Sequence, residues 1–348
     1  MALEPVLKDR GFKVSLMLGD GKPLTKARAE ISATILSANL VLLGMSAPAE
    51  NAELEVFAAG VARENRVPYG FYGDVPNCWN IRTQEGMPLT DLAPGASFYF
   101  GISESDANTA KEVFSEGSMF GTGNPLREEA AFPKFSREEV REKLGVKDDE
   151  KLILAPGGRF PGGLDTTGWA IIMEALCRLS ETDGMKFQLV MTPHPGDRVA
   201  FAVDPANSQP LNIYDGLVEN SPVPARIVYR DEMRTSEILP GADLVVEFGS
   251  SVGVEAAYLG IPDVTLAFEP LLRYWQRVAK SRTTEQLENG VSEFVQANPT
   301  VLAGVIGSLL TPDGFESMRL QQQKMYPRPK QKYQALRNMA DAIELLLA

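Results

Sequence analysis

No stretch of this 348-residue chain approaches the roughly 20 consecutive apolar residues that a membrane-spanning helix requires. The opening residues, MALEPVLKDRG, also lack the basic, apolar and small-residue order of a secretory signal. Cysteine is scarce: Cys78 and Cys177 stand far apart without CxxC spacing, so both read as small core residues and neither suggests a disulfide framework or a zinc site. A reduced, cytoplasmic setting is the expectation. Positive charge is in deficit, with 34 Lys and Arg against 46 Asp and Glu and a net charge of −12. That balance argues against a nucleic-acid partner and leaves room for one anionic ligand at a local site. Histidine occurs once, at position 194, which leaves little for histidine zinc chemistry or a Ser-His-Asp triad. No G-x-S-x-G elbow, G-x-G-x-x-G fingerprint or P-loop pattern is present.

What is present is a globular composition, 44% hydrophobic and 23% charged with 30 Gly and 24 Pro, on a chain long enough for two domains. Short apolar runs alternate with helical patterns, the signature of βαβ units and a parallel sheet. Strands are expected at 13–18, 40–46, 67–72, 98–102 and 118–122, then at 151–155, 187–192, 226–229, 244–248 and 263–266. Helices are expected at 51–64, 105–115, 167–179, 236–239, 252–259 and 284–296. The run SREEVREKLGVKDDE (136–150) reads as a charged helix, a glycine turn and an acidic linker, and marks the domain boundary, giving an N-terminal domain over 1–148 and a C-terminal domain over 149–330. A last helix near 331–347, after Pro327 and Pro329, is expected to pack back on the first domain. The usual opening strand and its glycine turn are missing, so the first domain is expected to lack its first strand.

Three loops could carry chemistry. In DLVVEFGSSVGVEAAYLGIP (243–262) a strand runs into Gly249, Ser250 and Ser251 and then a helix bearing Glu255; such a turn can cradle an anion, or a serine can simply cap the helix. In LILAPGGRFPGG (152–163), Gly157 and Gly158 allow close approach of backbone to a ligand, and Arg159 offers a planar fork for phosphate. In LVMTPHPGDR (189–198), His194 follows a strand end between two prolines that stiffen the loop; a lone histidine can equally be structural.

In this order, the three loops resemble the C-terminal half of the GT-B nucleotide-sugar enzymes, most of all lipid-A-disaccharide synthase and more distantly UDP-N-acetylglucosamine 2-epimerase. LVLLGMSAPAEN, VPYGFYGDVPNCW with Trp79, and FYFGISESDANTAKEVFSEGSMFGTGNPL are similar to the synthase's strand-end segments in the first half. The resemblance implies an α/β fold of two Rossmann-like, doubly wound domains facing across a cleft. It implies a metal-independent, inverting hexosyltransferase that needs no cofactor, uses a UDP-sugar and acts on a sugar or glycolipid acceptor. It assigns Glu255 to the ribose hydroxyls, Gly249, Ser250 and Ser251 to the diphosphate, Gly157, Gly158 and Arg159 to the nucleotide sugar, and His194 to the cleft near diphosphate or base.

The first half departs from that pattern. Met45-Ser46-Ala47-Pro48 stands where the synthase has an aspartate before proline, and Met45 and Tyr72 stand near the epimerase's carboxylates. Asp74 and Glu50 are the substitutes for a general base, although Asp74 also suits a turn before Val75-Pro76. A 2-epimerase, or a nucleotide-sugar-binding protein without catalysis, are the alternative readings. LLRYWQRVAK (271–280) is either a patch for the inner face of a membrane or a packed amphipathic helix. Replacing Arg159 with alanine is expected to weaken UDP binding more than uridine binding in calorimetry; equal losses would remove its phosphate role.

Overall fold

The computed structural model describes residues 3–16, 28–46, 52–83, 87, 89–158, 164–194, 201–203, 210–278 and 282–348. By its contacts the chain forms two compact units, Met1–Glu128 with Lys330–Ala348, and Glu129–Pro329. Each is α/β with a parallel sheet.

In the first unit, β1 (Val41–Leu43), β2 (Tyr69–Tyr72), β3 (Phe98–Gly101) and β4 (Ser118–Gly121) pair in chain order, with Val41 opposite Tyr69, Gly70 opposite Phe98, and Phe98 opposite Ser118. Aromatic runs such as YGFY and FYFG suit a sheet covered on both faces, because alternate side chains each meet a separate core. Phe71 and Tyr99 pack with Ala58, Ala59 and Ala62 of the helix Glu53–Glu64. Phe98 and Phe100 face the other way, onto Leu3, Leu7 and the apolar side of Gln334–Leu347. Glu128 anchors that last helix: buried, it accepts the Ala335 N–H at 2.8 Å, and Asn338 Nδ2 donates to the Thr122 carbonyl at 3.1 Å.

In the second unit, β5 (Glu150–Pro156), β6 (Lys186–Thr192), β9 (Ala225–Ile227), β10 (Leu244–Glu247), β11 (Asp263–Ala267) and β12 (Glu293–Gln296) form a parallel sheet in the order β12-β11-β10-β5-β6-β9. The short β7 (Phe201–Val203) and β8 (Pro210–Asn212) pair antiparallel apart from it. From β5 the chain builds outward through β6 and β9, then returns to the other side of β5 to lay down β10, β11 and β12. One face is closed by Trp169, Ile172 and Leu176 of the helix Leu164–Asp183, the other by Val140, Leu144, Ile238 and Ala256.

Several expectations are corrected. Residues 12–16 form no strand, and 17 and 18 lie outside the described residues. The helix expected over 284–296 stops at Glu288; Gly290, at φ +64°, turns the chain into β12, where Val295 alone is buried. The charged helix expected at the boundary is present as Arg137–Leu144, closed by Gly145, but it belongs to the second unit's core. Arg137 and Arg141 both pair with Asp243, at 2.8 and 3.0 Å, and the Leu152 N–H donates to the same carboxylate at 2.8 Å. Leu271, Leu272 and Trp275 are buried, so the apolar side of the candidate membrane patch faces the protein's own core. Among the described residues, no helix is long and apolar enough to cross a membrane.

Because Glu128 satisfies an otherwise orphan donor at the start of Gln334–Leu347, Glu128→Ala is expected to cost about 1–2 kcal/mol in urea unfolding. A loss below about 0.3 kcal/mol, the size of an ordinary surface substitution, would show the cap to be dispensable.

Candidate functional site

The order β10-β5-β6 places the three loops on neighbouring strands, all at their carboxyl ends: Gly249–Ser251 after β10, Gly157–Gly158 after β5, and Pro193–His194 after β6. The first two flank the point where the chain changes direction across the sheet, which is where open α/β sheets leave a crevice for ligands. The glycine loop is tied to the end of β6 by the Gly157 N–H, which donates to the Thr192 carbonyl at 2.8 Å. Thr235 in turn donates its hydroxyl to that of Thr192 at 3.0 Å.

Close packing explains the glycines. A Cβ on Gly157 would lie 2.8 Å from Asp165 Oδ2 and 3.2 Å from Trp169. The Gly158 N–H donates to Asp165 Oδ1 at 3.2 Å, so the buried Asp165 holds this turn from the first turn of Leu164–Asp183. Gly249 has φ +82°, and a Cβ there would meet the Trp275 indole at 2.6 Å. The tryptophan of the candidate membrane patch therefore packs beneath the Gly249 turn.

The dominant feature of the site is a pair of acids, Glu247 and Asp263, that the loop motifs did not single out. Both are 0% exposed. Glu247 ends β10 and accepts hydrogen bonds from the Thr265 hydroxyl at 2.5 Å, from Gln286 Nε2 at 2.9 Å and from the Ser250 N–H. Gln286 Nε2 also reaches the Ser250 carbonyl at 3.2 Å, and the Thr265 and Ser292 hydroxyls lie 2.8 Å apart. Asp263 sits on the same face of β11, since Val245 pairs with Asp263 and Glu247 with Thr265. Neither of its carboxylate oxygens meets a partner at normal geometry.

Burial pushes Glu247 up to about 7, against the pull of its donors Thr265, Gln286, Ser250 and Gly249. Burial, and then the Glu247 charge, hold Asp263 well above the usual carboxylate range. With donors concentrated on Glu247, the negative charge of the pair belongs there and the proton on Asp263. The signal available in the sequence was a lone acid within each of the apolar runs LVVEF and PDVTLA, because a buried acid must have partners or neutralise.

This arrangement changes what the cradle can offer a ligand. Ser250 donates its N–H inward to Glu247, while its hydroxyl accepts the Val252 N–H at 3.3 Å. Ser251 occupies the cap position of Val252–Leu259 without a side-chain cap bond, and its side chain is exposed. Glu255 is half-buried in the first turn of that helix, and its N–H donates to the Ser251 carbonyl at 3.1 Å. His194 is half-buried at its loop. Asp74, in the first unit, is exposed; its Oδ1 lies 4.0 Å from Cys78 Sγ, and Asn124 Nδ2 donates to its main-chain carbonyl at 2.7 Å. Arg159 and Glu50 lie outside the described residues.

No family model matches the chain. Over 161 residues it is 27% identical to UDP-N-acetylglucosamine--N-acetylmuramyl-(pentapeptide) pyrophosphoryl-undecaprenol N-acetylglucosamine transferase of Carboxydothermus hydrogenoformans, spanning 46% of this chain and 38% of that relative. The match thus spans well under half of the relative's length. Among solved structures, a putative UDP-N-acetylglucosamine 2-epimerase from Listeria monocytogenes aligns over 99% of this chain and 86% of its own, with a TM-score of 0.61 at 17% identity. Anabaena HepE in complex with UDP-glucose aligns over 99% of this chain and 89% of its own, with a TM-score of 0.59 at 13% identity. The UDP-GlcNAc 2-epimerase from Neisseria meningitidis bound to UDP-GlcNAc aligns over 99% and 88%, with a TM-score of 0.58 at 14% identity. At such identities the likeness is one of fold: the chain has the GT-B type of architecture.

The folded state binds protons more tightly than the unfolded chain wherever these carboxyls are raised, so their contribution to stability falls as pH rises from the ordinary glutamate range through about 7. The melting temperature is expected to be lower at pH 8 than at pH 5.5, and Glu247→Gln to narrow that gap. An unchanged gap in the variant would show that Glu247 does not titrate in this window.

Proposed function

We propose that this chain is a metal-independent, inverting glycosyltransferase that takes its sugar from a UDP-N-acetylhexosamine. The observation that supports this most is the placement of the Gly249–Ser251 and Gly157–Gly158 turns on β10 and β5, at the switch of strand order. In this reading the diphosphate lies over Gly249–Ser251, at the positive end of Val252–Leu259, and meets the Ser251 hydroxyl. Glu247 and Asp165 act from below: by occupying the Ser250 and Gly158 N–H groups they hold both turns in place before ligand arrives. Glu255 takes the ribose hydroxyls, with Arg159 and His194 nearer the diphosphate and base. As the bond to the sugar breaks, the helix terminus, hydroxyls and arginine stabilise the charge developing on the departing diphosphate.

The donor follows from two relatives of different activity: the Carboxydothermus transferase and the Neisseria epimerase are both named for UDP-N-acetylglucosamine or its sugar. The acceptor is a hydroxyl on a sugar or glycolipid, a reading supported by the strand-end motifs that resemble those of lipid-A-disaccharide synthase. The epimerases among the solved structures favour 2-epimerisation as the second reading. Incubation with UDP-N-acetylglucosamine, followed by proton and phosphorus NMR, separates the two. An epimerase changes the donor without an acceptor, whereas a transferase forms a glycoside only when an acceptor is supplied. If calorimetry detects neither UDP nor UDP-N-acetylglucosamine binding, both readings fail.

Glu255→Ala is expected to weaken UDP binding roughly 10- to 100-fold, the scale of hydrogen bonds to a charged group, with an unchanged melting temperature. Unchanged affinity would remove Glu255 from the ribose.

A further inference from the structure

Ser250 carries one amide hydrogen, and the fold spends it inward. Its N–H donates to Glu247 Oε2, the Gly249 N–H pulls on the same carboxylate, and Thr265 and Gln286 donate to Oε1. These donors are all uncharged, so they hold the negative charge without cancelling it. Asp263 lies under the start of the helix that follows: a Cβ on Gly253, in the first turn of Val252–Leu259, would come within 2.7 Å of its Oδ2. One buried acid therefore supports the Gly249–Ser251 turn and the other the helix end beside it. An anion resting on that turn opposes a carboxylate from which water is excluded, and such like charges are weakly screened.

The neighbouring elements leave this opposition to the two acids. β5, on the far side of β10, sets Ile153 and Leu154 against Leu244 and Val245. Trp275 packs under Gly249, and Glu285, next to Gln286, is turned to the Tyr326 hydroxyl at 2.8 Å. Glu255 and His194 are each half-buried rather than enclosed with the pair.

The surroundings are also built to take a second proton. The Thr265 hydroxyl stands 2.5 Å from Glu247 Oε1 and 2.8 Å from the Ser292 hydroxyl, and a hydroxyl can donate or accept. With Glu247 ionised, Thr265 donates to it. With Oε1 protonated the chain reverses: Glu247 donates to Thr265, and Thr265 to Ser292. Gln286 keeps its bond to the Ser250 carbonyl, and Oε2 remains under the Ser250 N–H as a neutral acceptor, a weaker one than a carboxylate.

We propose that binding of a diphosphate ester at the Gly249–Ser251 turn is linked to uptake of one proton by the Glu247–Asp263 pair, so that the site binds more tightly as pH falls. The inference rests on the nucleotide-sugar reading above and draws only on residues of the second unit. The free pair holds one proton and one negative charge. On binding, a proton from the buffer forms an O–H bond at Glu247 Oε1, the buried charge is removed, and the grip on the Ser250 N–H loosens while the turn keeps its support. Burial already brings Glu247 to about 7, and an anion above it raises its proton affinity further, so the uptake falls just above neutral pH.

The test is calorimetry of the full chain with UDP-N-acetylglucosamine, whose diphosphate is esterified at both ends and exchanges no proton of its own near neutrality. Titrations at about pH 7.5 in phosphate and in Tris, which differ in protonation enthalpy, count the protons taken up. For a tenfold rise in the pair's proton affinity, the unaltered chain is expected to take up roughly half a proton there and to bind about 6-fold more weakly at pH 8.5 than at pH 6.5. Glu247→Gln, which matches the protonated acid in shape, is expected to take up none and to vary less than about twofold over that range. His194→Gln is expected to keep the uptake, whatever it does to affinity. Should Glu247→Gln fail to fold, difference infrared spectra of the unaltered chain read the same event: ligand is expected to raise the protonated-carboxyl band at the expense of carboxylate. No uptake, release of a proton, uptake that survives Glu247→Gln or disappears with His194→Gln, or an unchanged carboxyl band would each overturn the proposal. Failure of the unaltered chain to bind UDP-N-acetylglucosamine at any pH is a different result: it brings down the nucleotide reading itself, and the linkage with it.

Discussion

Burial of Glu247 beneath the Gly249–Ser251 turn is the constraint around which the second unit's ligand end is organised. A carboxylate removed from water must find donors or give up its charge. Glu247 finds them in Thr265 on the next strand, Gln286 on the short helix Glu285–Glu288, and the Ser250 N–H in the turn itself. The adjoining turn and two elements farther along the chain are thereby fixed to one side chain. Gly249 and Gly253 are then required by packing: a Cβ on Gly253 would come within 2.7 Å of Asp263 Oδ2.

Asp165 does the same for the neighbouring turn. It takes the Gly158 N–H and fills the space beside Gly157 that a side chain would otherwise need. Both glycine turns are therefore supported by buried acids beneath them. This gives their outward groups a settled position, and it alters which groups face a ligand. Some N–H groups that the loop motifs alone would offer as anion donors are spent inward, so the exposed Ser251 and the helix end are what the turn presents outward.

The fold class and the strands carrying these loops were legible because each strand is a short apolar run closed by glycine, proline or serine, and parallel strands covered on both faces have that pattern. β12 was less legible, since an edge strand with Val295 as its one buried residue has no sustained alternation. The charged helix in segment 136–150 looked like a boundary element because it buries little more than Val140 and Leu144; Asp243, a hundred residues away, is what draws its arginines in. The contact between Glu55 and Ser46 was not legible, because nothing in local spacing marks a side chain that reaches back to the preceding strand end.

Local preferences along the chain were enough to settle the α/β alternation, the three turns and their order, because dihedral preference, apolar period and glycine placement act between near neighbours. Long-range packing was needed to bring the turns onto adjacent strands β10, β5 and β6, to close Trp275 under Gly249, and to set Glu247 and Asp263 on one buried face. Those outcomes depend on strand order and register, which join residues far apart in the chain; burial then makes each polar group answer to whichever partners that order brings within reach.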